Sequence, residues 1–88
     1  MAAESALEKQ LLAKVKNLQG ETRKVRWIGR NGAPDRLVML PHKVFFLELK
    51  APGKKPTAVQ LKEHERLRRF GLDVFVADTI GQVEELLR

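Results

Sequence analysis

The sequence predicts an α/β fold: a mixed sheet flanked by helices, in the order helix, three strands, helix, strand, helix. Three observations predict it. Apolar residues recur at helical spacing near the N-terminus. Two apolar segments are then separated by only residues 41–43, a connection short enough for an antiparallel hairpin. Further on, two Thr-x-x-Gln segments open helices on either side of one more apolar strand.

The first helix is expected over residues 4–18. Leu7, Leu11, Val15 and Leu18 fall on one stripe, Leu12 widens it, and Gly20 supplies a stop. Residues 22–28 mix Thr, Val, Trp and Ile with charges, which suits a strand with one wet face. Residues 29–32 (Gly-Arg-Asn-Gly) make a turn or flexible loop. Residues 36–40 read as a short strand. Residues 44–50 are the most apolar run and suit a buried central strand. The two prolines and the glycine of residues 51–56 defeat regular structure. Thr57 and Gln60 form a capping box for a helix that runs to about Phe70 and stops at Gly71. Residues 73–77 make the last strand, and Thr79 with Gln82 caps a final helix reaching Leu87.

The chain has 88 residues, which predicts one domain over residues 1–88. A core that small is marginal by itself, and a second copy would add burial. No apolar run approaches the roughly 20 residues that span a bilayer, so no membrane partner is expected. The N-terminus lacks the basic-then-apolar pattern of a signal peptide. Cysteine is absent, which excludes disulfides, thiolate chemistry and cysteine-ligated zinc, and makes the cytoplasm the natural setting.

The net charge is +6, and it is concentrated in the middle of the chain. Between Thr22 and Phe70 there are 13 Lys or Arg against 4 acids; outside that stretch there are 4 against 7. A cationic middle attracts polyanions, nucleic acid above all, although a solvated surface has the same composition.

The acids within that cationic stretch carry the chemistry. Asp35 stands at the entrance of one hairpin strand and Glu48 near the exit of its antiparallel partner, so both fall at the open end. Glu48 and Lys50 are two apart and share a face, while Leu49 between them points into the core. Two carboxylates suit a hard cation such as Mg²⁺, which keeps several waters and accepts phosphate oxygens. Lys50 is suited to orienting a water or offsetting phosphorane charge. Read alone, Glu48 and Lys50 favour an ordinary ion pair along a strand, and Asp35 after Pro34 suits a turn residue as well.

Pro34-Asp35, the gap and Glu48-Leu49-Lys50 resemble the PD-(D/E)xK nuclease signature. The wider string, residues 32–36, then 46–57, then Gln60 with Gly71 in register, is similar to the VRR-NUC (virus-type replication-repair nuclease) branch of that superfamily. The resemblance runs from residue 4 to residue 87. It departs at Ala33, where the family often has Val, and no catalytic group is affected. It implies a restriction-endonuclease-like fold and Mg²⁺- or Mn²⁺-dependent cleavage of DNA phosphodiesters. It also implies a homodimer acting on branched DNA such as Holliday junctions. By the same resemblance Asp35 and Glu48 are metal ligands with the Leu49 backbone carbonyl, Lys50 is the catalytic lysine, and Gln60 sits beside the site.

The resemblance further implies a glutamate from the first helix, for which Glu8 and Glu4 both qualify, directly or through water. Both lie within the arc of the apolar stripe, where an acid needs a partner. Gln60 has a second role as the capping residue of its helix. Phosphate contacts are expected from Lys54 and Lys55, then Lys24, Arg26 and Arg30, with Arg36 beside Asp35. These give salt-sensitive affinity without base reading. His42 reads as a turn residue, His64 as a solvated helix position, and Trp27 as core. The competing class is a non-catalytic DNA-binding module, or a nicking enzyme on simple duplex.

Overall fold

The computed structural model describes the backbone from residue 2 and the side chains from residue 6, through residue 88. The elements are α1 (Ala2–Asn17), β1 (Glu21–Lys24), β2 (Arg36–Leu40), β3 (Lys43–Leu49), α2 (Ala58–Arg69), β4 (Val74–Ala77) and α3 (Ile80–Leu86). The sheet order is β1-β2-β3-β4. The first three strands are antiparallel and β4 joins β3 in parallel, so the sheet is mixed. The order and class predicted from the sequence hold.

Side-chain alternation gives the sheet two different faces. On one, Val38, Leu40, Phe45, Leu47 and Leu49 pack against Leu7, Leu11 and Val15 of α1 and Val83 of α3. This is the apolar core, and Leu11, Leu47 and Val83 are completely buried in it. Truncating such a leucine to Ala costs about 2–5 kcal/mol. Only part of the predicted α1 stripe is used: Leu7, Leu11 and Val15 are buried, whereas Leu12 and Leu18 are exposed, Leu18 lying past the end of the helix.

The other face carries Phe46 and Glu48, with Val74 beside Phe46 in the register. Helix α2 covers it. Arg68 donates two hydrogen bonds to the Val74 carbonyl, at 2.7 and 3.2 Å, tying the last turn of α2 to the start of β4. Both predicted capping boxes form. Thr57 Oγ1 accepts the Gln60 N–H and Gln60 Oε1 accepts the Thr57 N–H; Thr79 and Gln82 do the same for α3. Each cap contributes about 1 kcal/mol.

Most element ends shift by one or two residues from expectation, and two of the shifts bear on the site. The predicted strand 22–28 ends at Lys24. Val25 still donates one bond to the Asp35 carbonyl at 2.8 Å, but Trp27 then turns away to hydrogen-bond α2. Strand β3 stops at Leu49 rather than residue 50, although the Lys50 N–H still bonds the Ala77 carbonyl at 2.9 Å. One environment is corrected outright. His64, read as solvated, is fully buried, because α2 lays its polar stripe on the sheet.

Candidate active site

The hairpin β2–β3 builds the site. Arg36 pairs with Leu47, so the next position outward sets Asp35 opposite Glu48. Asp35 Oδ2 accepts the Leu49 N–H at 2.9 Å, which holds its carboxylate across the mouth of the hairpin. Leu49 itself is buried on the apolar face, and that anchor fixes Glu48 and Lys50 on the other.

Glu48 is 1% exposed. Its Oε2 receives Lys50 Nζ at 3.1 Å and Gln60 Nε2 at 3.1 Å. Its Oε1 is buried and meets no hydrogen-bond donor among the described residues. Burial, and then the neighbouring negative charge of Asp35, push the Glu48 carboxyl above the usual carboxylate range, while Lys50 pulls it down. A buried carboxylate oxygen without a donor is costly. Here it sits beside a second carboxylate, so positive charge is the missing complement.

Gln60 serves two partners at once. Its Oε1 accepts the Thr57 N–H at 2.9 Å, which leaves the amide NH₂ to donate to Glu48. The two roles weighed for Gln60 therefore coexist in one side chain. They are geometrically linked, because the start of α2 and the orientation of Glu48 depend on the same amide.

Hard oxygen donors and an unmet buried oxygen fit a divalent cation. Among the described residues no third acid or histidine joins Asp35 and Glu48 as a three-ligand cluster. That composition suits a cation that keeps several waters. Glu8 has a different partner: its Oε2 is bonded to Arg36, which is itself buried. The Arg36 hydrogen bond holds the Glu8 carboxyl below the usual range, against a smaller opposing effect of burial. The expectation that an acid in the α1 stripe needs a partner holds, and Arg36 is that partner. The side chain of Glu4 lies outside the described residues.

The basic candidates divide by position. Lys54 and Lys55 are exposed on the loop after β3, which is tethered where the Gly53 N–H donates to Asp78 Oδ2 at 3.0 Å. Lys24, Arg26 and Arg30 are exposed on the other side, along β1 and the loop 25–35. His42 lies in the hairpin turn, with Nε2 3.2 Å from the Arg88 carbonyl oxygen, at the end of β2 and β3 opposite the acids.

Two buried groups differ from the sequence reading, in which Glu63 has no role and His64 is solvated. Glu63 is 4% exposed; its Oε2 accepts the Trp27 indole N–H at 2.7 Å, and its Oε1 lies 3.3 Å from Arg66 and 3.4 Å from Arg30. His64 is fully buried, with neither ring nitrogen hydrogen-bonded among the described residues. Burial, then the charges of Arg68 and Lys50, hold its imidazole below the usual histidine range. A signal existed: Gln60, Glu63, His64 and Leu67 share one helical face. The face is polar, so it resembles a wet one until its partners are seen.

No family model matches the chain. Over 77 residues it is 48% identical to a phage protein named "Putative nuclease p44", from Acyrthosiphon pisum secondary endosymbiont phage 1. That match covers 86% of this chain and 83% of the phage protein. A solved structure described as a VRR_NUC domain superposes with a TM-score of 0.88 at 40% identity, covering 97% of this chain and 94% of that one.

Proposed function

The chain belongs to the VRR-NUC nuclease family, and on that premise we propose that it is a Mg²⁺- or Mn²⁺-dependent endonuclease of the PD-(D/E)xK type. Its substrate is DNA, with a preference for branched forms such as Holliday junctions. It acts as one domain of residues 1–88, as a homodimer whose two sites cut two strands, in the cytoplasm. The single observation that carries the reading is the Glu48 carboxylate. It is buried beside Asp35, bonded to Lys50 and Gln60 through one oxygen, and left without a donor among the described residues on the other.

In this reading Asp35, Glu48 and the Leu49 carbonyl hold the cation, and Glu8, bonded to Arg36, is an outer contact through water; Glu4 is its alternative. The bound cation supplies Lewis-acid stabilisation of charge on the phosphoryl group. Lys50 orients the attacking water and offsets charge on the phosphorane. Gln60 positions Glu48 by fixing its Oε2, so it acts through that residue. Lys54 and Lys55 on one side, and Lys24, Arg26 and Arg30 on the other, straddle the site and contact phosphates, with Arg36 beneath. Contacts of this kind favour shape over sequence.

A cleavage panel of labelled junction, flap, duplex and single-stranded DNA, with Mg²⁺, Mn²⁺ and chelator, tests the proposal. Cleavage that needs a divalent cation and falls about 10²–10⁴-fold in Lys50→Ala, with binding retained, supports it. Full activity in chelator, or in Lys50→Ala, defeats it. Binding without cleavage in the unaltered protein identifies a non-catalytic DNA-binding module instead.

A further inference from the structure

The loop 25–35 ends in a large apolar side chain that the protein keeps in water. Ile28 is 97% exposed, the most exposed of the large hydrophobic residues. Scattered apolar residues on a surface are ordinary. This one differs because the chain is held on either side of it, at Trp27 and at Arg30. Trp27 donates to the buried Glu63 at 2.7 Å and stands edge-on to Phe46, with ring centroids 6.2 Å apart. Two residues after Ile28, Arg30 Nε lies 3.4 Å from Glu63. The same carboxylate therefore grips the chain before and after Ile28.

The far end of the loop is held as well, at Gly32, while Gly29 stands in open space. Gly29 has φ +80° and Gly32 has φ +94°. A Cβ on Gly32 would lie 2.7 Å from the Val59 carbonyl oxygen and 3.0 Å from Glu63 Cβ, so the backbone lies directly on α2. A free loop would fold an isoleucine against the nearest apolar surface. This loop holds it outward between Arg26 and Arg30, both exposed.

The loop is also next to the chemistry. It leads directly into Asp35. It is clamped by Glu63, one turn along α2 from the Gln60 that donates to Glu48, and Phe46 beneath Trp27 shares the sheet face of Glu48.

We infer that Ile28 is a specificity-determining wedge that inserts between unstacked bases at the branch point of the DNA substrate, with Arg26 and Arg30 on the flanking phosphates. The inference rests on the nuclease reading above and deepens it. An apolar side chain driven into a base step must separate that step, which is unfavourable in continuous duplex. At a junction or flap the stack is already interrupted, so the same contact is gained without that expense. A stiff wedge discriminates because it cannot retract; the Trp27–Glu63–Arg30 clamp supplies the stiffness.

The test compares the unaltered chain, Ile28→Ala and the conservative Ile28→Leu. Each cleaves a four-way junction and a linear duplex of matched sequence. Each is also bound, in a Lys50→Ala background, to a junction carrying 2-aminopurine beside the branch. Ile28 is exposed, so these changes leave folding almost untouched. The expected result is a drop of about 10-fold in the junction-to-duplex ratio of kcat/KM for Ile28→Ala. The 2-aminopurine fluorescence rise on binding should vanish with Ala and persist with Leu. An unmoved ratio, or fluorescence that ignores residue 28, overturns the wedge. If the unaltered chain binds junctions and cuts nothing, the nuclease reading fails and the fluorescence arm alone decides the wedge. If it binds no DNA, both fall.

Discussion

The two faces of this sheet bury opposite chemistry. Under α1 and α3 the contacts are aliphatic and aromatic, and the charged residue that enters, Arg36, is neutralised by Glu8. Under α2 lie Glu48, Glu63 and His64, all at most 4% exposed. The first face is a core in the ordinary sense, held by area removed from water. The second buries polar groups, which is unfavourable unless each finds a partner. Most do. Both oxygens of Glu63 meet donors. Glu48 Oε1 and the two His64 nitrogens do not. The difference between Glu63 and Glu48 is the instructive one. Two buried acids lie under one helix; one is satisfied and clamps a loop, and the other is left open beside Asp35. A protein tolerates that second arrangement where a ligand completes it.

If that contrast is right, Glu48→Gln should produce the largest effect. The amide is a poor partner for a hard cation, so turnover should fall by about 10³-fold, several kcal/mol of transition-state stabilisation. The metal-free protein should gain stability, because burial and Asp35 already disfavour the charged carboxyl. Cleavage assays and thermal melts, each with and without Mg²⁺, check both parts. A variant that melts lower in chelator would break the contrast, since it would make Glu48 a stabilising group.

Gln60→Glu sharpens it further by separating two jobs. A glutamate still accepts the Thr57 N–H, so the cap on α2 survives. It cannot donate to Glu48, and it adds a like charge there. Activity should fall about 10–100-fold, the usual cost of losing a residue that orients a ligand, while helicity by circular dichroism holds. Equal loss of helicity and activity would reduce Gln60 to a cap.

His64→Leu should give the smallest effect, seen in stability alone. The folded imidazole is held below its usual pKa, and the unfolded one titrates near 6.5. Below that pH the unfolded chain takes up a proton that the folded chain refuses, so stability falls on acidification. Above it both forms are neutral and the group contributes no slope. His64→Leu should flatten the melting curve's dependence on pH as the pH falls below about 6.5. It should also raise Tm at pH 7.5 by several degrees, since each kcal/mol recovered from an unpaired buried nitrogen is worth about 4–8 °C in a domain this small. A steeper acid loss in the variant would show that the imidazole has a partner it needs.

Much of the candidate site was legible before any coordinates. The short connection between β2 and β3 implied that Asp35 and Glu48 meet, and the two-residue period put Lys50 beside Glu48 and Leu49 opposite. Thr57 and Gln60 announced α2 by their spacing. These readings depend only on local geometry, which neighbouring residues determine among themselves. Trp27, Glu63 and His64 were not legible in the same way. A polar stripe on a helix has one appearance in sequence whether it faces water or a sheet, and a tryptophan among charges gives no hint of which acid it will reach 36 residues later.

By itself, then, the sequence determined the order of elements, the caps, the hairpin and the identity of the acid–acid–lysine group, because hydrophobic period, turn residues and short loops act over a few residues. Only the tertiary structure decided that α2 buries its polar face, that Glu8 pairs with Arg36, and that one oxygen of Glu48 is left without a donor. Those outcomes depend on which distant groups burial brings within hydrogen-bonding reach, and on the cost of leaving any of them unmatched once water is gone.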